Sequence, residues 1–323
     1  MQFMMIKKGM RSLCDRVLLA FFFAFCVQLK AFSQVYQQFR EKEDACIEFQ
    51  RQQKWAEAAE VCNEIIALPI NSKDSLDRRF KYKGDALFRL GHYYYHAHYF
   101  KYDIQKAIWY FEEASKYGTY VYMPELYLML IYNVGKYGVC DYEKSLYWLQ
   151  KGAKKHPIMN YLLGEVYEFG FTNFVVRDKS ANVFKYDDQI LAFPNVEKQT
   201  RKAYKCFLEF FDKGGQYIND AKISKYDVGK ALKEGIVLAQ DYEKAFEFLF
   251  YFVPSFHEIE NDMSTYKTPE VADAFFLLSQ LCRFGNGTTA NELRANQYLK
   301  YAALCGSEAA QKAISSSHID VDF

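Results

Sequence analysis

The stretch Tyr161–Gly170, YLLGEVYEFG, has the composition of a helix except for its two glycines. Gly164 stands inside the helical pattern and Gly170 at its end. A glycine in a helix interior costs about 1 kcal/mol relative to alanine. A glycine kept at that cost indicates close packing of one helix on another, and a repeated packing mode should repeat the small residues.

The same pattern occurs five times along the chain. In each copy Leu or Val precedes a first position, which is Gly or Ser in four copies and Met in one, and a small residue follows six positions later. The copies are LGHYYYHA (Leu90–Ala97), LMLIYNVG (Leu128–Gly135), LGEVYEFG (Leu163–Gly170), VGKALKEG (Val228–Gly235) and LSQLCRFG (Leu278–Gly285). We therefore predict five helices that share one way of packing.

A second helical element follows four of the five copies at a fixed distance. Asp or Asn begins it, and a small residue stands four positions later. Asp and Asn are good helix N-caps because their side chains accept backbone N–H bonds from the first turn. The predicted caps are Asp103, Asp141, Asp241 and Asn291, and the small residues are Ala107, Ser145, Ala245 and Ala295. Each unit is therefore predicted to be an antiparallel helix hairpin.

Two additions interrupt the regular spacing. In the third hairpin Ala203 stands 33 residues after Gly170, whereas the equivalent distance is ten in the other hairpins. We predict an insertion near 171–198 that forms an ordered surface excursion. A second insertion, near 254–270, separates the fourth hairpin from the fifth.

Residues 1–33 have the pattern of a cleaved signal peptide. Four basic residues precede the apolar run Val17–Leu29, and Ala31-Phe32-Ser33 supplies small residues where a signal peptidase requires them. An uncleaved anchor is the alternative, but thirteen residues are fewer than the roughly 20 that span a bilayer. We expect an exported protein, periplasmic or secreted, with no stable membrane insertion after cleavage.

Residues 34–83 are predicted to form an N-terminal helical cap. Within them KWAEAAEVCNEIIALP (Lys54–Pro69) resembles the second helix of a tetratricopeptide repeat. Stacked repeats need a cap because each unit buries its apolar face only against its neighbours. The repeat region then covers 84–323.

The hairpins resemble Sel1-like repeats, the short relatives of tetratricopeptide repeats. The closest matches are LLGEVYEFG, GKYGVCDYEKSLYWLQKGA and RFGNGTTANELRANQYLKYAALCG. The resemblance covers about Gly84 to Ala313. It implies an all-α fold, a right-handed α-α superhelix (solenoid) of about five helix hairpins plus an N-terminal capping helix. It also implies an adaptor or assembly platform, without naming a partner.

The first helices supply a candidate binding surface, the predicted groove. Counted from the first small position of each copy, the residues at −1, +2, +3 and +6 fall on the helix face that packs against the neighbouring helices. The residues at +1 and +5 lie on the other face. In solenoids of this kind that side lines the concave face, where a protein or peptide binds through apolar anchors and charged residues. A merely solvated wall is the alternative. The predicted groove consists of His92, His96, Leu130, Val134, Glu165, Phe169, Lys230, Glu234, Gln280 and Phe284.

No motif in the sequence supports a metal, a cofactor or catalysis. His92 and His96 lie one turn apart with His98 nearby, but no H-E-x-x-H pattern accompanies them, so surface histidines are expected. Ser264–Lys267 fits S-x-x-K without the S-D-N and K-T-G motifs of penicillin-binding enzymes. We expect a non-enzymatic protein-interaction module. The alternative is a cell-envelope hydrolase of the cysteine-rich penicillin-binding type, because exported family members have been linked to penicillin binding.

Charge argues against nucleic acid as a partner. The whole chain carries 41 basic and 40 acidic residues, and removal of residues 1–33 leaves 36 and 39. No basic cluster remains to neutralise phosphates.

Six cysteines remain after the signal peptide: Cys46, Cys62, Cys140, Cys206, Cys282 and Cys305. An oxidising compartment permits disulfides, but the spacing assigns no pairs. Cys140 and Cys305, near hairpin ends, are the better disulfide candidates. Cys206 and Cys282 are expected to be small core residues.

Overall fold

A computed structural model of the protein describes residues 34–70, 77–119, 123–135, 138–174, 189–215 and 223–317. The predicted signal peptide and residues 175–188 of the first insertion lie outside the described residues. The chain divides into two compact units, and the boundary between them lies within one helix, between Ile131 and Tyr132. Unit 1 comprises the described residues up to Ile131 together with Gly138. Unit 2 comprises 132–135 and the described residues from Val139 onward.

Unit 1 contains the helices before the first repeat and the first hairpin. They are α1 (34–51), α2 (Trp55–Ala67), α3 (Arg78–His96), α4 (Ile104–Tyr117) and the larger part of α5 (Pro124–Val134). Phe39 of α1, Ile65 of α2 and Tyr93 of α3 are fully buried in one core. Arg89 adds a nearly buried ion pair with Glu43, at 2.6 Å, that joins α3 to α1.

Unit 2 contains the remaining hairpins. Its elements after α5 are α6 (Tyr142–Ala153), α7 (Pro157–Phe169), β1 (Phe171–Phe174), β2 (Gln189–Ala192), α8 (Thr200–Asp212), α9 (Lys225–Glu234), α10 (Tyr242–Phe252), α11 (Phe256–Asn261), α12 (Met263–Tyr266), α13 (Pro269–Phe284), α14 (Glu292–Leu304) and α15 (Glu308–Ser317). Helices α7 and α8, α9 and α10, and α13 and α14 pack as hairpins. The hairpin of α13 and α14 also packs on α10 and α15, so successive units share one apolar core.

The four predicted N-caps are confirmed. The side chains of Asp103, Asp141, Asp241 and Asn291 each accept a hydrogen bond from the backbone N–H three residues later. The backbone N–H of each cap donates in turn to a carbonyl of the preceding helix. The bond from Asp141 to Tyr132 measures 2.8 Å and that from Asn291 to Cys282 measures 2.9 Å. The side-chain bond and the backbone bond of the cap together fix the geometry of the turn in each of these four hairpins.

The glycines inside the first helices are contact points between helices. A Cβ added to Gly164 would lie 2.5 Å from the ring of Phe207 on α8. A Cβ on Gly91 would lie 2.9 Å from the ring of Phe111 on α4. Gly170 has a different role, because it ends α7 in the left-handed conformation, at φ 75°. Gly164 therefore serves close helix packing, and Gly170 serves helix termination.

The described ends of the first insertion form a small antiparallel sheet. Phe171 of β1 pairs with Ala192 of β2. Thr172 donates a hydrogen bond to Glu165 of α7, and Asn133 of α5 donates to the carbonyl of Ala192 at 2.9 Å. The insertion therefore begins and ends against the first helices of unit 2.

The predicted all-α fold of helix hairpins is confirmed. Within the described ranges, β1 and β2 are the only strands. None of the helices in the described part of the chain combines the length and the apolar character of a membrane-spanning segment.

Candidate functional site

Two members of the predicted groove lie in the interior. His92 is 2 % exposed and Glu165 is 4 % exposed. The ring of His92 packs against Phe88 and against Tyr127 of α5, and Glu165 is covered by Thr172 of β1. Neighbouring elements therefore occupy the side of these helices that periodicity assigned to a partner.

Lys230 and Gln280 of the predicted groove form polar bridges between hairpins. The Lys230 Nζ lies 3.0 Å from Asp273 of α13, and the Lys233 Nζ donates to Gln280 at 2.9 Å. Hydrogen bonding to Asp273 raises the pKa of Lys230 above its ordinary value. The polar side chains at offset +1 in α9 and α13 therefore hold these two helices together.

The offset +5 positions are more open to solvent. Phe284 is 69 % exposed and Phe169 is 36 % exposed, and Glu234 is also exposed. Each lies in the last turn of its helix, beyond the contacts that bury the middle of that helix. His96, Leu130 and Val134 are half-buried. The exposed part of the predicted groove thus consists of residues at helix ends.

The three clustered histidines belong to an aromatic group in unit 1. The rings of His92 and His96 lie 4.2 Å apart, and His98 stacks on Trp55 at 4.4 Å. Burial lowers the pKa of His92 well below its ordinary value, and the neighbouring His96 and His98 lower it further. The expectation of a surface position is therefore wrong for His92. In the described ranges no group of His, Cys, Asp or Glu has the arrangement of a metal site.

Ser264 has an acidic partner. It is exposed on the short helix α12 and donates to Asp262 at 2.7 Å. Hydrogen bonds from Thr265 and Ser264 lower the pKa of Asp262, which makes that carboxylate a weak base. Nucleophilic catalysis requires a base that can take the proton of the serine, and a carboxylate with a lowered pKa is poorly suited to that role.

A pocket that sequence reasoning missed lies in unit 2. It has a volume of about 510 Å³, within the range of ligand sites, and is formed by α10, the segment before α11, α13 and α14. Its lining side chains, most of them apolar or aromatic, are Phe250, Val253, Pro254, Ser255, Phe256, Phe275, Asn291, Leu293, Arg294, Gln297 and Tyr298. The insertion near 254–270 was the available signal, because residues added between stacked hairpins change the space between them.

Arg294 is fixed at one side of this pocket by aromatic rings. The centre of its guanidinium lies 5.4 Å from the ring of Phe246 and 5.5 Å from the rings of Phe250 and Tyr298. Its Nε donates to the Tyr298 hydroxyl at 3.2 Å, and its backbone N–H is bound by the N-cap Asn291. Contacts of a cation with ring faces are attractive and hold the group in place.

The second insertion forms another wall of the pocket. Phe256 of α11 stacks on Tyr301 at 4.2 Å, and the Tyr301 hydroxyl donates to Glu260. Burial and this hydrogen bond raise the pKa of Tyr301 to about 12. Ser255 and Glu258 close a capping box at the start of α11, so the Glu258 carboxylate accepts from Ser255 at 2.7 Å. The pocket walls are thereby preorganised.

Comparison with known proteins identifies the repeats. The Sel1 repeat family model matches residues 84–118, 127–156, 157–181, 223–250 and 272–307. These segments fall on the five predicted hairpins, although the third includes only α7 and the start of the insertion. No curated protein matches the chain.

Two solved structures are similar over much of the chain. The Sel1 repeat protein from Oxalobacter formigenes has 17 % identity, covers 84 % of this chain and 88 % of its own, and gives a TM-score of 0.38. A protective antigen of uropathogenic Escherichia coli that displays an SLR fold has 14 % identity and a TM-score of 0.33. That match covers 86 % of this chain and 52 % of the antigen.

Proposed function

We propose that this chain, which carries five Sel1 repeats of the kind generally found in protein–protein interaction modules, is an exported adaptor that binds a peptide segment of a partner protein. The pocket between α10 and α14 is the observation that carries this proposal. It is concave, largely apolar and contains few polar groups, as sites for inserted side chains generally are.

The rim of the pocket presents large apolar side chains to solvent. Leu293 is 74 % exposed and Phe250 is 41 % exposed, and the neighbouring Tyr251 is 65 % exposed. Exposed apolar side chains grouped beside a pocket favour an interaction site, since burial of their surface stabilises a complex. A side chain of the partner would enter the pocket while its backbone crosses this rim.

The exposed helix ends of the predicted groove are a second proposed contact. Phe169 and Phe284 would act there as apolar anchors, and Glu234 would contribute to the register of the bound segment. His92 and Glu165 have no part in this contact because their side chains are buried.

Binding can be tested by selection from a random peptide library on the purified protein without residues 1–33. We expect enrichment of a short motif. Affinity for it should fall at least tenfold in a Phe250→Ala, Leu293→Ala double variant. A Phe169→Ala, Phe284→Ala double variant tests the groove in the same assay. Selection of no peptide would contradict the proposed function. If only the Phe169→Ala, Phe284→Ala variant loses affinity, the peptide binds in the predicted groove and not in the pocket.

Export is part of the proposal and rests on residues 1–33. The pattern of basic residues, apolar run and small residues implies that cleavage leaves Gln34 as the first residue. Expression in a Gram-negative host, fractionation and N-terminal sequencing test this. An uncleaved chain in the membrane fraction would contradict it.

A further inference from the structure

We propose that the pocket between α10 and α14 selects peptides that carry a carboxylate beside an apolar side chain, with Arg294 as the group that holds the carboxylate. This inference rests on the proposed peptide-binding function. It adds the chemical class of the ligand and the residue that recognises it.

The lining of the pocket contains one cation and no acidic residue. Among the described residues, no carboxylate forms an ion pair with Arg294, and its two terminal nitrogens have no hydrogen-bond acceptor. Two acidic residues of the elements that form the pocket already have partners. Glu292 lies 3.2 Å from Arg283, and Glu258 accepts hydrogen bonds from Ser255.

A carboxylate is the anion that suits this geometry. The planar guanidinium can donate two parallel hydrogen bonds to the two oxygens of a carboxylate. A phosphate carries about twice the charge at neutral pH, and the lining offers a single cation. The aromatic rings that contact Arg294 make its surroundings less polar than water, which strengthens a charge-assisted hydrogen bond. The apolar remainder of the pocket favours an apolar side chain next to the carboxylate.

The carboxylate can come from an acidic side chain or from the C-terminus of a peptide. Two libraries separate these sources, one with free and one with blocked C-termini. We expect the wild-type protein to enrich Asp or Glu beside an aromatic or aliphatic residue, or the same apolar residue at a free C-terminus. Affinity for the selected peptide should fall about tenfold or more in Arg294→Gln, the loss expected for a charge-assisted hydrogen bond. Arg294→Lys should retain part of it.

Arg283→Gln is the matched control. Arg283 belongs to the same hairpin but pairs with Glu292 and with Asn296 and does not line the pocket. The Arg283→Gln variant should bind the selected peptide with the affinity of the wild type. Thermal unfolding of each variant shows that it is folded. Selection of peptides without any carboxylate preference, or unchanged affinity in Arg294→Gln, would overturn the inference and leave the peptide-binding function standing. Selection of no peptide would overturn both.

A separate observation in unit 1 assigns a disulfide. The Sγ atoms of Cys46 on α1 and Cys62 on α2 lie 3.3 Å apart, and both residues are fully buried. We infer that this pair is oxidised in the exported protein and joins the two helices. A movement of little more than 1 Å would bring the sulfurs to the bond length of about 2.05 Å.

The two cysteines favoured by sequence position are differently placed. Cys140 is exposed and Cys305 is buried. Neither has a sulfur contact with another cysteine in the described part of the chain. Proximity therefore selects Cys46 and Cys62.

Formation of the bond needs a disulfide-bearing oxidant, such as an envelope thiol–disulfide oxidoreductase or oxidised glutathione. One Cys thiolate attacks the oxidant and forms a mixed disulfide, and the other displaces the reduced thiolate. The two protein thiols lose two electrons to the oxidant and two protons to water or to the reduced oxidant. Because both sulfurs are buried, the exchange precedes closure of α1 on α2.

Peptide mapping of the exported protein, alkylated without reduction, tests the assignment. We expect a linked peptide pair containing Cys46 and Cys62, and alkylated Cys140 as the internal control. Refolding with oxidised glutathione should reproduce the link, and Cys46→Ser, Cys62→Ser should lower the melting temperature by several degrees. Alkylation of both cysteines after oxidative refolding, or a link from Cys46 to another cysteine, would overturn the assignment.

Discussion

At the scale of single residues, the contact of Gly164 with Phe207 explains why a glycine stands inside α7. The distance of 2.5 Å from an added Cβ to the ring leaves no room for a methyl group. The preference of helices for alanine is therefore outweighed by the approach of α8. Sequence reasoning found this position because repeated small residues mark repeated contacts.

Gly164→Ala should lower the free energy of unfolding by up to about 2 kcal/mol, because an overpacking cost of about 1–3 kcal/mol is offset by a gain of roughly 1 kcal/mol in helix propensity. Urea unfolding measures the change. Ser279→Ala is the control, since that position in α13 already carries a Cβ and its hydroxyl donates only to the Phe276 carbonyl within its own helix. An equal effect in both variants would argue against the contact.

Ala97 occupies the same closing position as Gly170 but carries a side chain in the left-handed region, at φ 54° and ψ 36°. Glycine adopts this conformation without the steric cost that other residues have. Ala97→Gly should therefore raise the free energy of unfolding by about 0.5–1 kcal/mol. Thermal unfolding provides the measurement, and a lower melting temperature would contradict the expectation.

At the scale of elements, the four hairpin turns that end in an Asp or Asn cap are closed by the same pair of bonds. The cap side chain binds the first turn of the second helix, while the cap backbone N–H binds the first helix. The spacing of Asp and Asn relative to the small residues was sufficient to predict these caps. Burial of His92 and Glu165 was not predictable, because the period of one helix does not show which other element covers it.

Asp241→Ala should lower the free energy of unfolding by about 1 kcal/mol, as loss of an N-cap generally does. Chemical denaturation of the purified variant measures this. Asp241→Asn is the matched control, because asparagine retains an acceptor for the Lys244 N–H. If both variants lose the same stability, the negative charge rather than the cap is responsible.

At the scale of the whole molecule, sequence periodicity predicted the repeats and the all-α fold, since each hairpin repeats the same local contacts. The pocket escaped prediction because it depends on how Phe256 and Arg294, from an insertion and a repeat, come together. The contact of Cys46 with Cys62 likewise depends on packing between α1 and α2. Features formed by irregular segments depend on tertiary contacts that a sequence pattern does not reveal.

The clustered histidines of unit 1 predict lower stability of the protein in acid. The pKa of His92 in the folded state lies below its ordinary value of 6.5, so the unfolded state binds more protons between the two values. Stability should therefore be complete above pH 6.5 and should fall as the pH decreases toward the folded pKa. Melting temperatures between about pH 7.5 and 5.5 test this.

His92→Gln provides the comparison, because glutamine keeps polarity but does not titrate. The variant should lose less of its melting temperature than the wild type over the same pH interval. The pKa of the half-buried His98 is also lowered by burial, so part of the dependence should persist. Equal slopes in the two proteins would show that other groups control the response.

The cap-to-carbonyl bond of each hairpin uses main-chain atoms only, and this has a consequence for how such proteins vary. The residue that supplies the carbonyl is Tyr132 in one hairpin, Leu232 in another and Cys282 in a third. This residue can therefore be substituted without loss of the hydrogen bond that closes the turn. A sequence search that requires tyrosine at this position would miss the hairpins that carry Leu232 and Cys282, whereas a search based on the Asp or Asn cap would find them.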